Sequence, residues 1–210
     1  ETDRQQNLLP ETSLYVHGLG MALFNLLILG PIVYAHVPTR QLRKQRCMWN
    51  ILQTFGLVGA QCALYSLVHR AMHKIKVLRA IHDPHHRFKE VVVPSAANAV
   101  MPAEFLLAYM TPFMIAAHFA PPSPMALFAA ATIVSAFNLI VHTPSATKFA
   151  SPHWWVHPNT HLAHHLTRAP HYAAPTFSTS PIPMLIASMS ALKISTLTDH
   201  SFPEVASIFS

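Results

Sequence analysis

Four long apolar segments that are nearly free of charge leave this chain few folds to choose from. They run roughly from Leu14 to Val37, Ile51 to Val68, Ala99 to Ala120 and Met125 to Val141. In a helix rising 1.5 Å per residue, about 20 residues cross a hydrocarbon core of about 30 Å. The first and third segments are long enough for that, and the second and fourth are marginal. Of 210 residues, 51% are apolar and only 10% charged, where a soluble domain has about a quarter charged. A soluble helical protein would have too little polar surface to cover four such helices.

Strand signals are poor. "EVVVP" at Glu90 to Pro94 is the clearest β-branched run, and glycine numbers only five. The expected fold is therefore all-α, an integral membrane bundle of about four apolar helices in a single domain over residues 1–210. Pro183 to Leu197 is apolar but short and contains Lys193, which fits an interfacial helix better than a span. The opening "ETDRQQNLLPETS" has no initiator Met, basic n-region or cleavage site, so it does not read as a signal peptide and further residues are expected upstream.

The third and fourth segments are joined by "PPSP" at Pro121 to Pro124, room for no more than a turn between antiparallel helices. The chain entering this hairpin and the chain leaving it then emerge on one side. That side is rich in Arg70, Lys74, Lys76, Arg79, Arg87 and Lys89 against Asp83, so it faces the cytoplasm by the positive-inside rule. Arg40, Arg43, Lys44 and Arg46 work against this assignment if the second segment crosses fully. A segment containing Gln53 and Gln61 has the alternatives of dipping in and returning or of reaching the cytoplasm partway along its length. The net charge of +6 flanks apolar runs and does not form a basic face on a polar domain, so anionic lipid headgroups are the expected partner and nucleic acid is not. Cys47 and Cys62 alone make no disulfide framework, which fits a site facing a reducing compartment.

Histidine is concentrated on the same side. "HRAMHKIKVLRAIHDPHH" holds His69, His73, His82, His85 and His86; "HPNTHLAHH" holds His157, His161, His164 and His165; His142 ends the fourth segment between them. His69 and His73 are four apart, so on a helix continuing out of the second segment they share one face and can hold one ion between them. Pro84 begins a helical turn before the doublet His85–His86. Lone histidines such as His17, His36, His118 and His200 read as structural or exposed, and His153 and His171 read the same way. Eight or more imidazoles delivered to one membrane face exceed what one ion can use, so two metal ions are expected. Asp83 and Asn138 are candidates to hold ring N–H groups, Glu104 reads equally as a third or as a residue near the interface, and Trp154 and Trp155 read as interfacial anchors at least as well as substrate contacts.

The spacing H-x3-H, H-x2-HH and H-x2-HH, here "HRAMH", "HDPHH" and "HLAHH" around a helical hairpin, resembles the fatty acid hydroxylase and sterol desaturase superfamily of membrane non-haem di-iron oxygenases. The likeness covers about Gln61 to Tyr172. It implies that His69, His73, His82, His85, His86, His161, His164 and His165 ligate two iron ions, with His142 as a further ligand and His157 as a weaker tenth. Zinc can replace iron in such a site in purified protein. The resemblance further implies O2-dependent hydroxylation or desaturation of a lipid, whether sterol, fatty acyl or related, and residence in the endoplasmic reticulum if the source is eukaryotic. No flavin or haem motif is present, so electrons would come from a donor such as cytochrome b5 with its reductase, or a ferredoxin.

Two features depart from the resembled pattern. Cys62 stands where an acidic residue is usual, about seven positions before the first box. "LTRAPHYAAPTFSTSP" replaces the Asn-Tyr-Gly-like stretch and the Trp-Asp pair after the third box. A histidine-rich metal transporter or a non-catalytic metal-binding protein is the alternative, but a transporter places ionisable ligands along a path within its helices, and these gather at helix ends.

Overall fold

The computed structural model describes residues 12–40, 47–89, 92–148, 155–168 and 172–173. The described residues are helices and connecting turns without a strand. Helix α1 spans Thr12–His36 and is interrupted by a π-helical stretch at Asn25–Leu29. Helix α2 is Cys47–Lys74, the short α3 is Lys76–His82, and α4 covers residues 102–119 with a second π stretch at Phe105–Met110. Helix α5 is Pro124–Val141 and α6 is Pro158–Thr167. Among the described residues three helices, α1, α2 and α5, are long and apolar enough to cross a membrane. The fourth apolar helix, α4, starts with Pro102 and Glu104.

The second apolar segment is longer than its hydropathy implies. Helix α2 has 28 residues, about 42 Å at 1.5 Å each, and continues unbroken from the far end of the bundle through His69 and His73. A dip and return is excluded. It is the central helix, packed against both α4 and α5 and burying Leu57, Val58, Ala60, Cys62, Tyr65 and Met72. Helix α1 lies at the periphery, with Leu19, Leu23, Leu26, Leu27, Ile28 and Ile32 exposed. Exposed leucine and isoleucine along a span are what lipid tails accept at no cost.

The far end is pinned by polar contacts. Ser123 N–H donates to Gln53 Oε1 at 3.1 Å and its hydroxyl to Asn50 Oδ1 at 2.8 Å, while its Oγ caps α5 by accepting from Ala126 N–H. Tyr34 Oη donates to the Pro124 carbonyl and Arg40 N–H to that of Pro122. The start of the basic loop after α1 therefore sits by the "PPSP" turn, at the end opposite the histidines. At the near end, Asn25 is buried within α1 and its Nδ2 donates to the Val100 carbonyl at 2.8 Å. This holds the irregular stretch before α4 against α1.

Candidate metal centre

Five short pieces of chain carry the histidines to one place. His69 and His73 occupy the last turns of α2. Ile75 breaks the helix with an extended backbone (φ −95°, ψ 120°), and Arg79 turns its guanidinium back to donate to the exposed carbonyl of His73. The fold-back places His82 at the end of α3, and Pro84 starts the 3-10 turn His85–Arg87. Phe88 anchors that turn: it is buried with Val92, Ala96, Ala99 and Leu162 and lies under Gly18 of α1, where a Cβ would come within 2.6 Å of its ring. His142 is the C-cap of α5, and α6 brings His161, His164 and His165.

The rings form two adjacent groups. His69, His73, His82, His86 and His164 make one; His85, His142, His161 and His165 make the other. Within each, the candidate ligand atoms lie within 4.8 Å of one another. In the first group the Nε2 atoms of His69 and His82 are 3.1 Å apart, His73 and His69 3.2 Å, His82 and His73 3.1 Å, His86 and His82 3.0 Å, and His164 and His69 3.3 Å. In the second, His142 Nε2 is 2.9 Å from His161 Nε2 and 3.2 Å from His165 Nε2. The ring of His86 is 4.9 Å from that of His165, so the groups adjoin.

These distances suit metal ions better than hydrogen bonds. A neutral imidazole has one donor and one acceptor, and His82 Nε2 faces three other Nε2 atoms at once. Nitrogens about 2.0–2.1 Å from one ion are about 2.9–3.4 Å apart for octahedral to tetrahedral angles. The observed spacings fall in that interval. An all-imidazole set suits iron or zinc and excludes the hard, oxygen-liganded cations calcium and magnesium.

Burial keeps the rings neutral, as ligands must be. Loss of solvation, reinforced by neighbouring imidazoles, lowers His82 from 6.5 to about 2 and His86 to about 3. Burial likewise lowers His142 to about 4, although the Asn138 carbonyl opposes the shift. His85, His161 and His165 are pushed well below 6.5 for the same first reason.

Nine of the ten histidines singled out from the sequence converge; His157 does not. Its Nδ1 accepts from Asn159 N–H at 3.1 Å, making it the N-cap of α6. Of the partners expected for ring N–H groups, Asp83 turns away to Arg168 at 3.1 Å on the surface. Asn138 serves through its backbone carbonyl, which accepts from His142 Nδ1 at 2.7 Å, and not through its side chain. Glu104 does reach one of the converging rings, with Oε1 2.6 Å from His82 Nδ1. His17, His36 and His118 are exposed, as expected of lone histidines. Trp155 packs edge-on to Phe137. Trp154, His153, His171, His200 and the segment from Pro183 to Leu197 lie outside the described residues, as do Glu90 and Val91.

Sequence reading missed the cavity beside this centre. A space of about 650 Å³ lies between α1, α4 and α5, bounded by Leu26, Tyr34, Phe105, Phe113, Phe128 and Val134. Its lining is almost wholly apolar, and both π stretches contribute to it. Asn98, Tyr109 and Asn138 also line it. From there, two contacts lead to the histidines: Asn138 holds His142, and Tyr109 packs on Tyr65 at 5.4 Å, which packs on His69 at 5.3 Å.

Residues 53–201 match the fatty acid hydroxylase family. The match covers well over half of the chain and includes all nine converging histidines, so this chain belongs to the fatty acid hydroxylase family. No curated protein and no solved structure matches it.

Proposed function

We propose that the chain oxidises a C–H bond of a membrane lipid with O2, by hydroxylation or desaturation, at two iron ions held by the five-histidine and four-histidine groups. The observation that carries this reading is the convergence of nine imidazoles beside an apolar cavity among the apolar helices. Iron bound there would supply O2 activation and abstraction of hydrogen from an unactivated carbon. The chain's own residues do the rest. Phe105, Phe113 and Phe128 bind and orient an alkyl chain, and their apolar surface excludes water that would compete for the oxidant. Tyr65 and Asn138 link the cavity wall to His69 and His142, so the substrate's position and the ligands' position are set by the same helices.

Electrons come from a separate donor, such as cytochrome b5 with its reductase or a ferredoxin. His73 is the partly exposed ligand of its group, with Lys74 and Arg79 beside it. The histidine face lies on the cytoplasmic side, and if the source is eukaryotic the membrane is that of the endoplasmic reticulum. Cys47, exposed at the start of α2, tests this: a membrane-impermeant thiol reagent should reach it only from the opposite side.

The experiment for the reaction is metal analysis with Mössbauer spectroscopy on detergent-purified protein grown with iron-57. Two iron ions per chain that change state on reduction and on exposure to O2, with an oxidised lipid formed, support the proposal. His164→Ala should lose metal and product together. Failure to bind iron after anaerobic reconstitution would overturn it.

A further inference from the structure

Nine neutral imidazoles around two divalent ions leave four positive charges for the surroundings to balance. Two acidic side chains lie among the described residues, Asp83 and Glu104. Asp83 is at the surface, its side chain 44% exposed, and paired with Arg168. Glu104 is 1% exposed, as is His82, and its carboxylate is 2.6 Å from His82 Nδ1. The two groups are therefore not electrostatically alike.

We infer that Glu104 is a positioning residue that makes the two metal sites unequal: the five-histidine site, which it supports, holds its ion more tightly than the four-histidine site. The inference rests on the reading that both groups bind metal, and not on the reaction. Because His82 Nε2 converges with three other Nε2 atoms, that nitrogen is the ligand and the ring's one proton sits on Nδ1. Glu104 Oε1 accepts that proton's hydrogen bond, which fixes the tautomer, holds the ring plane and raises the basicity of Nε2. Its place in the first turn of α4 favours an anion, since backbone N–H groups are unpaired there. In the second group the matching contact is the hydrogen bond from His142 Nδ1 to the backbone carbonyl of Asn138, a neutral dipole. Burial of both Glu104 and His82 keeps water from screening the difference.

The test uses the full chain in detergent, stripped of metal and titrated with Zn2+ against a competing chelator. The wild type should show two classes of site. Glu104→Gln keeps an oxygen acceptor and loses the charge; it should weaken the tighter class about 10-fold to 100-fold and leave the other within about threefold. In a His82→Ala background the same change should add nothing, because Glu104 acts through that ring. An unmoved tight class, or equal weakening of both classes, overturns the inference. If Glu104→Gln loses its helical circular dichroism, His86→Ala and His165→Ala decide the matter. His86→Ala should abolish the tighter class and His165→Ala the weaker, and the reverse assignment or a single wild-type class overturns it. No zinc bound by the wild type would overturn the two-metal reading itself. Two ions bound with an unmoved tight class would remove only the role of Glu104.

Discussion

His157 and His161 sit four residues apart in one histidine-rich stretch, yet the structure gives them different work, and replacing each by alanine separates the two roles. His161 converges with His142 at 2.9 Å in a group of four. Binding free energies of about 10–16 kcal/mol for a four-ligand zinc site divide to about 2.5–4 kcal/mol per ligand, or about 10²-fold to 10³-fold in affinity at 1.4 kcal/mol per decade. His161→Ala should therefore purify with about one metal ion per chain. His157 instead accepts from Asn159 N–H as an N-cap, worth about 0.5–2 kcal/mol. His157→Ala should keep both ions and lose a few degrees of thermal stability, at about 2–4 °C per kcal/mol for a chain of this size. Elemental analysis after size exclusion in detergent, with a parallel melting curve, reads both effects. The reasoning fails if His157→Ala loses an ion or if His161→Ala retains both.

Other parts of the fold give further expected outcomes. Gly18→Ala would place a Cβ 2.6 Å from the Phe88 ring and 3.1 Å from Ala99 Cβ, an overpacking expected to cost about 1–3 kcal/mol. Because Phe88 comes directly after the turn carrying His85 and His86, a detergent melting curve and the metal content should fall together; an unchanged melting temperature would contradict the packing. Ala131→Trp projects into the cavity and should lower kcat/KM for a long-chain lipid at least about tenfold, about 1.4 kcal/mol, with both ions retained, so metal loss would count against it. In metal-free protein, His142 is held at about 4 against a usual 6.5, so the unfolded chain takes up the proton first as pH falls. Stability should be complete above about pH 6.5 and decline from there toward about pH 4, as urea unfolding across that range would show, and a rise in stability would refute the assignment.

The apolar runs and the histidine boxes were legible because each is a local property. Apolar residues without charge define a membrane helix wherever it packs, and His69 and His73 share a face by helical spacing alone. Two things were not legible. The cavity arises from side chains of three helices and has no sequence of its own. Glu104 was one candidate among three for holding a histidine ring, and only the approach of α4 to α3 selected it over Asp83 and the Asn138 side chain.

By itself, the sequence determined that this is a helical membrane protein with a cluster of imidazoles gathered at one end. How those imidazoles divide into two groups was decided by tertiary structure. Both doublets, His85–His86 and His164–His165, are split, one ring of each going to either group. Consecutive residues on a helical turn point about 100° apart, so a doublet tends to straddle two sites. Which ring joins which group depends on where α2, α3, α5 and α6 meet, and those meetings join residues as far apart as His69 and His164.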